Sequence, residues 1–383
     1  MRRIAYIQYT NPALYPPLEH SSRLLADAGW DVLFLGTGAE GLRFPHHERI
    51  TVRELPFRSA GWRQKLHYAW FALWTLSWTI RWRPTWVYAS DPLSCPVALL
   101  LSYLPGIQMV YHEHDSPNSV STRFMRFVLW TRRPLSARAD LCILPNEQRA
   151  RRFAQEIGNG VHVDCVWNCP SRSEVSDARP PLDGVTLRIL YHGSIVPARL
   201  PTTVLMALSM LPKGVRLRIV GYETIGHKGY VRQLQELAAQ LGIAGRVEFL
   251  GPVPQREELL ALCRQCDVGL SLMPKQSLDN NEQTMTGASN KPFDYLACGL
   301  ALLVSDLPDW RVLFVDGGYA LAVDPADPHS IATAVRWLLE HPAESRAMGE
   351  RGRQRILREW NYEEQFAPVL PRLTEKSSHA RCS

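Results

Sequence analysis

At 383 residues, the chain is longer than a single hydrophobic core usually supports, and two domains are expected. Its composition, 46% hydrophobic and 21% charged, is that of a folded globular protein and excludes a disordered or low-complexity chain. The formal net charge of +6 is modest, and no recognised nucleic-acid-binding motif accompanies the arginines, so nucleic acid is not predicted as a partner.

The first half alternates strand-like and helix-like segments, which predicts an α/β domain over residues 1–167. Short apolar runs mark its strands: Ile4–Tyr9, Val32–Leu35, Trp86–Ala89, Gln108–Tyr111, Leu141–Leu144 and Val163–Trp167. The opening Met1-Arg2-Arg3 runs directly into the first strand, so no signal peptide is predicted. Proline, serine and aspartate are frequent in residues 168–184, which we interpret as an interdomain linker.

Two segments of this half mix basic and large apolar residues, as helices at the surface of an anionic membrane do. The first, residues 63–83, carries four tryptophans whose spacing places them on one helical face: Trp70, Trp74, Trp78 and Trp82. The second, residues 121–138, interleaves five arginines with apolar side chains. The first segment is shorter than the roughly twenty apolar residues that span a bilayer. We interpret both as an interfacial surface, while core packing of the tryptophans remains the alternative.

A second alternating series over residues 185–360 predicts another α/β domain. Its strands are Leu187–Tyr191, Val215–Val220, Val247–Leu250, Val268–Leu272, Leu300–Val304 and Ala320–Val323. No GxGxxG follows the first strand of the chain, which argues against an NAD or FAD enzyme. Residues 361–383 form a C-terminal tail that is expected to pack back on the first domain.

The eight cysteines are scattered along the chain, which fits reduced thiols in the cytoplasm better than a disulfide framework. Cys263 and Cys266 form a CxxC late in a predicted helix, but no second pair stands at ligand spacing. Neither zinc binding nor redox chemistry is therefore predicted there.

The stretch Ser289–Asp309 reads as a loop, a short helix, a glycine stop, an apolar strand and a second loop. Ser289 or Asn290 suits the N-cap, and Gly299 stands where the helix would end. Backbone N–H groups and the helix dipole at such an N-terminus, with Lys291 beside them, can hold a phosphate. An ordinary αβ unit without a ligand is the alternative interpretation.

Taken in order, the motifs of the second half resemble the donor domain of GT-B glycosyltransferases, most closely glycosyltransferase family 4. They are LRILYHGSIVPARLP, RLRIVGYE, GRVEFLGPVPQREELLALCRQCDVGLSLMP, SNKPFDYLACGLALLVSDLPD and MGERGRQRILREWNYEE. The first half resembles the family more loosely, through VYASDP, VYHEHDSPN and LPNEQRARRF. This resemblance implies two Rossmann-like domains facing each other across a cleft. It also implies transfer of a sugar from a nucleotide-sugar donor, usually with retention of configuration.

The resemblance also implies donor-binding residues in the second half. Arg199 occupies the place of the family's phosphate-binding basic residue, and Gly193 lets the backbone approach the diphosphate. Lys291, with the amides that follow Ser289 and Asn290, offers a second clamp. In GT-B enzymes such groups take the place of a metal ion, so the chain is expected to need neither metal nor cofactor.

Two acidic residues separated by seven others are a further feature of the family, and the later one usually holds the donor ribose. Asp294 aligns with this later acid. The earlier position is Thr286, which departs from the pattern, and Glu282 or Asp279 could take its place. The polar loop that carries these two acids could close over the donor.

His114 matches the family histidine that contacts the donor sugar, and Asp115 stands where an acid usually follows. With Asp294, these two are the predicted catalytic residues. The neighbouring His112 and Glu113 suggest a metal site as an alternative, but adjacent side chains on an extended segment point opposite ways. Glu223 follows a strand and is a further candidate contact to the base or ribose of the donor. A position in the core or on the surface, without a ligand, is the equal alternative.

The sequence therefore predicts a cytoplasmic glycosyltransferase, peripheral on the inner face of a bacterial membrane. Its donor would be a nucleotide-diphosphate sugar, and its acceptor a lipid-linked saccharide or a polysaccharide. Two alternatives remain: a nucleotide-sugar epimerase of the same architecture, and a non-catalytic nucleotide-sugar-binding protein, which the missing acid at Thr286 suggests.

Overall fold

The computed structural model describes residues 2–38, 44–59, 61–117, 122–158, 160–183 and 185–379, with side chains described up to residue 374. Its contacts group the chain into two compact units. One contains residues 1–168 and 362–383, and the other Cys169–Asn361. Several residues mentioned above lie outside the described ranges: Met1, Asn118, Ser121, Gly184 and Cys382.

The first unit is built on a parallel sheet of seven strands. They are β1 Arg3–Ile7, β2 Asp31–Thr37, β3 Ile50–Leu55, β4 Trp86–Ser90, β5 Gln108–His112, β6 Leu141–Leu144 and β7 Val163–Cys165. Their order, β3-β2-β1-β4-β5-β6-β7, reverses direction between β1 and β4. Ligands of such sheets bind beyond the carboxyl ends of the strands beside this reversal. The edge strand β3 is absent from the sequence prediction, because its half-exposed residues form no apolar run.

In the described part of this unit, five α-helices pack on the sheet before the chain leaves it: α1 Pro16–Asp27, α2 Trp62–Trp82, α3 Cys95–Leu101, α4 Arg123–Arg138 and α5 Glu147–Ile157. Successive strand residues face opposite sides of a sheet. Ile4 and Tyr6 of β1 therefore lie in the core shared with α1. Ala5 and Ile7 lie in the core shared with α2 to α5.

The second unit has a parallel sheet of six strands. They are β8 Leu187–Ser194, β9 Val215–Tyr222, β10 Val247–Gly251, β11 Val268–Ser271, β12 Ala301–Ser305 and β13 Ala320–Val323. The order β10-β9-β8-β11-β12-β13 reverses between β8 and β11. The helices are α6 Thr203–Ser209, α7 Tyr230–Gln240, α8 Arg256–Arg264, α9 Asn280–Gln283, α10 Asn290–Ala297, α11 Pro308–Trp310, α12 Pro328–Glu340 and α13 Pro342–Arg358.

Helix α10 is fixed at its end by close packing on α13. Gly299 follows the helix with φ +70°, a left-handed conformation that glycine adopts without strain. A Cβ built on Gly349 of α13 would lie 2.2 Å from the Gly299 carbonyl oxygen, and one on Gly352 would lie 2.3 Å from the Leu296 side chain. Glycines on α13 thus allow the close approach that holds α10 in place.

The segment predicted as a linker contacts the second unit, to which it belongs from Cys169 onward. Glu174 pairs with Arg256 of α8, with an Nε to Oε1 distance of 2.5 Å. Arg179 donates to the carbonyl of Cys266 and lies 3.5 Å from the Asp267 carboxylate.

The chain returns to the first unit through α14 Tyr362–Phe366 and α15 Val369–His379. Four apolar side chains of this return are fully buried in the core that includes α1: Tyr362, Phe366, Val369 and Leu373. Tyr362 also contacts the ring of His20, with centroids 5.2 Å apart. The last helices therefore complete the hydrophobic core of the first unit.

The tryptophans of α2 do not form the single exposed face that their spacing suggested. Trp74, Trp78 and Trp82 are half-buried, and Trp74 and Trp82 pack on the core, whereas Trp70 is exposed. The exposed apolar stripe instead contains Trp62, Leu66, Trp70, Leu73 and Ile80, each more than half exposed. No helix in the described part of the chain has the length and apolar character needed to cross a membrane.

Candidate functional site

The carboxyl end of β8 carries the predicted glycine and two basic side chains. Gly193 has φ +108°, and a Cβ built on it would lie 2.9 Å from Lys291 Cε and 3.3 Å from Lys291 Nζ. The lysine side chain thus crosses directly over the glycine backbone. Arg199 lies in the turn after the same strand and donates from Nη1 to Ser194 Oγ at 2.9 Å.

Lys291 is the second residue of α10 and is only 8% exposed. Its Nζ lies over the ring of Tyr191, 5.6 Å from the centroid. Burial, and then the positive charge of Arg199, lower the pKa of Lys291 to about 7, although Asp294 opposes this effect. A buried ammonium beside a guanidinium is favourable when an anion lies between them. The pair therefore has the electrostatics of an anion site.

The start of α10 faces the same strand end. Ser289 is the N-cap, as one of the two predicted options, but its side chain makes no capping hydrogen bond. Asn290 is the first helical residue, and Pro292 in the first turn has no N–H group to satisfy. The backbone amides of Asn290 and Lys291 thus belong to the first turn, where a helix leaves N–H groups for an external acceptor.

Asp294 lies on the inner side of α10 and is 1% exposed. Its Oδ1 accepts from Arg256 Nη2 at 2.7 Å, and Arg256 also binds Glu174, which gives a buried chain of three charges. The His192 ring lies 3.5 Å from the other carboxylate oxygen. Burial, with the nearby Lys291 and Arg256, lowers the pKa of His192 well below its usual value, so this histidine is neutral.

Glu223 lies at the start of helix α7. Its Oε1 accepts from the backbone N–H of Val231 at 2.7 Å, at the start of α7. Backbone hydrogen bonds from Val231 and Gly229 lower the pKa of this carboxyl. This environment is that of a helix-capping residue.

The two acids considered as substitutes at Thr286 both have local partners. Asp279 is the N-cap of α9 and accepts from Asn281 N at 2.7 Å, while Glu282 accepts from Ser277 Oγ at 2.6 Å. Thr286 itself donates its hydroxyl to Asp309. A carboxylate is therefore present beside Thr286, but it comes from the short helix α11, which follows β12. The sequence spacing gave no signal for this pairing.

In the first unit, His114 follows β5 and is buried at the carboxyl end of the sheet. Its Nε2 lies 3.1 Å from Ser90 Oγ, and its Nδ1 has no hydrogen-bond partner among the described residues. Burial lowers the pKa of His114 to about 4, despite the opposing charge of Asp115, so the ring is neutral near pH 7. Asp115 itself is exposed and lies 3.5 Å from Arg149 Nη1.

His112 and Glu113 point to opposite sides of β5. The rings of His112 and His114 lie 3.9 Å apart, whereas Glu113 binds Arg132 through two hydrogen bonds of 2.5 and 3.0 Å. Within the described ranges, no group of three or more histidine, cysteine, aspartate or glutamate side chains is arranged to hold a metal.

Asp91 is a further candidate residue, which the sequence analysis did not single out. It follows β4 beside the sheet reversal, and its Oδ1 accepts from the His114 backbone N–H at 3.0 Å. Its backbone has φ +62° and ψ 164°, a region that non-glycine residues rarely occupy. Burial raises the pKa of its carboxyl to about 7, against the hydrogen bond from His114. The motif VYASDP, noted for the family resemblance, was the available signal.

Two family models match the chain, one for each half. Residues 18–169 match a glycosyl transferase 4-like domain, and residues 202–370 match a glycosyl transferase-like domain. A curated relative from Mycolicibacterium smegmatis, GDP-mannose-dependent alpha-(1-6)-phosphatidylinositol monomannoside mannosyltransferase, is 30% identical over 138 residues. That match covers 36% of this chain and only 35% of the relative's length.

Solved structures share the fold along nearly the whole chain. Sucrose-phosphate synthase from Thermosynechococcus elongatus superposes with a TM-score of 0.73 at 16% identity, covering 99% of this chain and all of the other. Anabaena Alr3699/HepE in complex with UDP and glucose gives 0.72 at 17% identity, covering 98% and 100%. WaaG, a glycosyltransferase involved in lipopolysaccharide biosynthesis, gives 0.66 at 12% identity, covering 97% and 100%. The predicted GT-B fold is confirmed.

Proposed function

Because the chain belongs to the glycosyltransferases of GT-B fold, we propose that it moves a sugar from a nucleotide-diphosphate donor to a lipid-linked or polysaccharide acceptor. The observation that carries this proposal is the group of Gly193, Arg199 and Lys291 at the carboxyl end of β8. It lies beside the sheet reversal, where α/β sheets bind ligands.

The chemistry of this group suits a departing nucleoside diphosphate. Negative charge grows on the diphosphate as the bond to the sugar breaks, and fixed positive groups stabilise that charge. Lys291 and Arg199 supply two cations, and the first turn of α10 supplies backbone amides. These groups could do what a divalent cation does in other transferases, so we propose a metal-independent reaction.

Asp294 fits a positioning role better than the ribose contact that the resemblance implied. Its carboxylate is buried and already accepts from Arg256, so it fixes α10 against α8 and thereby orients Lys291. Ribose recognition then falls to other groups at the start of α10, with Ser289 and Asn290 as the candidates. Glu223, by its capping contacts, would support the β9 to α7 turn.

His114 is proposed as a hydrogen-bonding partner of the donor sugar. Its neutral ring has Nε2 against Ser90 and leaves Nδ1 for another partner. Transfer with retention requires no strong protein base on the donor face, and a neutral imidazole matches that requirement. Asp115, exposed and near Arg149, would act at the entrance to this site and not as the base.

The first unit carries a surface suited to anionic lipid, which supports a lipid-linked acceptor and a peripheral position at the inner membrane face. Trp62, Leu66 and Trp70 are exposed on α2, and Phe127 stacks with Trp130 on α4 with centroids 6.3 Å apart. Helices α2, α3 and α4 contain no acidic residue and eight basic ones, of which Arg132 is buried against Glu113. Tryptophan prefers the headgroup level, and each nearby cation adds about 1 kcal/mol of attraction to anionic lipid.

A panel of radiolabelled nucleotide sugars, incubated with the purified protein and with lipid-linked or polysaccharide acceptors, tests the function. We expect transfer or slow donor hydrolysis with one donor, unchanged by EDTA, and loss of donor binding in Arg199→Ala. Arg232→Ala, which alters an exposed helical pair in the same unit, is the matched control. An altered sugar without transfer would instead identify an epimerase, and binding without turnover a non-catalytic protein.

Flotation with vesicles tests the membrane surface separately. The protein should float with anionic vesicles at low salt, and the double variant Trp70→Ser with Trp130→Ser should not. Val312→Ser removes an equally exposed apolar side chain from the second unit and should float normally. Failure of the unaltered protein to float would refute the membrane proposal without affecting the proposed transfer reaction.

A further inference from the structure

A cavity of about 670 Å³ on the second unit is lined mainly by arginines. They are Arg179, Arg188, Arg216, Arg218, Arg246 and Arg264. Glu248 is the acidic side chain in this lining. The lining therefore carries a large excess of positive charge, which is expensive to gather in one concave site without a counter-ion.

Strand alternation explains how these side chains come to share one face. Leu187 and Leu217 point into the core with α6, α7 and α12, so Arg188, Arg216 and Arg218 point to the opposite face. There, α10 and α13 contact β11 and β12. The arginines lie on β8 and β9, toward the other edge of the sheet.

Two of the arginines occupy paired positions on neighbouring strands. Arg188 of β8 is in register with Arg216 of β9, and like charges at paired strand positions are destabilising. Arg218 is neutralised by Glu248, with Nε to Oε2 at 2.7 Å. Among the described residues, neither the Arg188 nor the Arg216 guanidinium lies within ion-pair distance of a carboxylate, although the charge of Arg188 helps to lower the pKa of the exposed Asp183. The register thus places two cations that no carboxylate binds directly on neighbouring strands at the cavity.

The other arginines are held in place by protein groups. Arg246 donates to the carbonyls of Leu208, Leu211 and Pro212, and Arg264 donates to the carbonyl of Glu174. Arg246 and Arg264 keep their charge with their positions fixed, whereas Arg179 lies 3.5 Å from the Asp267 carboxylate. The cavity therefore combines preorganised cations with Arg188 and Arg216, which no carboxylate binds directly.

We propose that this cavity binds a small molecule that carries two or more phosphate groups. Guanidinium forks match phosphate oxygens in pairs of hydrogen bonds, and the volume is in the range of small-molecule sites. No aromatic residue lines the cavity, and the side chains of its two larger apolar residues, Leu217 and Val247, belong to the core on the other face of the sheet. It offers no platform for stacking a nucleobase, which favours a polyphosphate or a phosphorylated polyol over a nucleotide.

This cavity is separate from the donor site. Arg188 and Gly193 are five residues apart on β8, which corresponds to about 17 Å along an extended strand. The cavity opens near the amino ends of the strands, whereas the donor site lies at their carboxyl ends. The two sites can therefore be occupied at the same time.

Calorimetric titration with inorganic tripolyphosphate or inositol trisphosphate tests the proposal in an Arg199→Gln background, which weakens anion binding at the donor site. We expect one binding event that weakens at least about tenfold when Arg188→Gln and Arg216→Gln are added. Adding Arg232→Gln and Arg358→Gln, which removes the same charge elsewhere on the unit, should leave the affinity within about twofold. A preference for tripolyphosphate would indicate a free polyphosphate ligand, and one for inositol trisphosphate a lipid headgroup or polyol phosphate.

Thermal unfolding gives an independent readout. Without anion, the Arg188→Gln and Arg216→Gln variant should melt at or above the temperature of its Arg199→Gln parent, because a like-charge contact has been removed. Added anion should raise the melting temperature of the parent and leave this variant unchanged. The proposal would be overturned if neither tripolyphosphate nor inositol trisphosphate bound. It would also be overturned if the Arg188→Gln and Arg216→Gln variant lost no more affinity than the Arg232→Gln and Arg358→Gln variant. Neither result would bear on sugar transfer.

Discussion

The side chain of Lys291 occupies the space that a Cβ on residue 193 would require. That Cβ would lie 2.9 Å from Lys291 Cε, closer than ordinary van der Waals contact. The glycine at the end of β8 and the lysine at the start of α10 are therefore a matched pair, and the position of the cation depends on the absence of a side chain opposite it.

Gly193→Ala should displace Lys291 and weaken nucleotide binding at least about tenfold. The lysine side chain is flexible at its far end, so it would move before the backbone did. The φ of +108° would add a backbone cost of about 1–3 kcal/mol to the free energy of folding. Calorimetry with UDP and GDP would measure the first effect, and thermal unfolding the second.

Gly226→Ala is the matched control for this substitution, because a Cβ there would meet nothing within 4 Å. It should leave nucleotide affinity and stability nearly unchanged. Equal nucleotide affinity in Gly193→Ala and the unaltered protein would show that Lys291 does not contact the nucleotide.

Nucleotide binding should take up a proton above pH 7. The pKa of Lys291 is about 7 in the folded protein, and a bound diphosphate would raise it. Affinity should therefore fall as pH rises above 7, by up to about tenfold per pH unit. Calorimetry at pH 8.5 in two buffers of different ionisation enthalpy measures the proton uptake. In Lys291→Arg the uptake should vanish, because a guanidinium stays charged at this pH.

Asp91→Asn should stabilise the protein at pH 8 but not at pH 4. The pKa of Asp91 rises from 3.8 to about 7 on folding. Between these pH values, Asp91 is protonated in the folded state and ionised in the unfolded state. The group's contribution to stability consequently falls as pH rises through this window, and the cost persists above it. Because Asp91 is partly in contact with solvent, the effect is smaller than full burial would give. We expect Asp91→Asn to raise the free energy of unfolding by about 2 kcal/mol, measured by urea denaturation at pH 8. If the variant gained the same stability at pH 4 as at pH 8, the titration of Asp91 would not be the cause of the gain.

Arg256→Met should lower the free energy of unfolding by about 3–5 kcal/mol, because Asp294 and Glu174 would lose their buried counter-charge. Adding Asp294→Asn should recover part of the loss. Arg232→Met breaks the exposed pair with Glu236 and should cost less than about 0.5 kcal/mol. A loss from Arg256→Met as small as that of the control would refute the structural importance of this pair. Denaturant titration measures all three.

The fold was predictable because apolar runs and glycine stops report on local structure. The strand Leu141–Leu144 was predicted with its observed limits. All four of its residues are buried, so the apolar run in the sequence begins and ends with the strand. The edge strand Ile50–Leu55 was missed because half-exposed residues give no such run. Lys291 was indicated by its place at a helix start, whereas Gly193 and Arg199 were implied by the resemblance to GT-B glycosyltransferases.

Pairings between distant side chains were beyond sequence reasoning. Nothing in the spacing joins Arg256 to both Glu174 and Asp294, or Thr286 to Asp309, because each contact depends on helix packing. The tryptophan spacing of α2 likewise could not separate the half-buried Trp74 from the exposed Trp70. That distinction depends on which side of the helix meets the sheet.

The return of the last helices to the first unit fixes an order of events during synthesis. The core around α1 needs Tyr362, Phe366, Val369 and Leu373, which leave the ribosome long after residue 168. At about 5–20 residues per second, that interval is on the order of 10–40 seconds. The second unit is synthesised during this interval, while the first must wait with an apolar face uncovered. Although synthesised first, the amino-terminal unit is therefore completed last, and chaperones would have that interval in which to bind it.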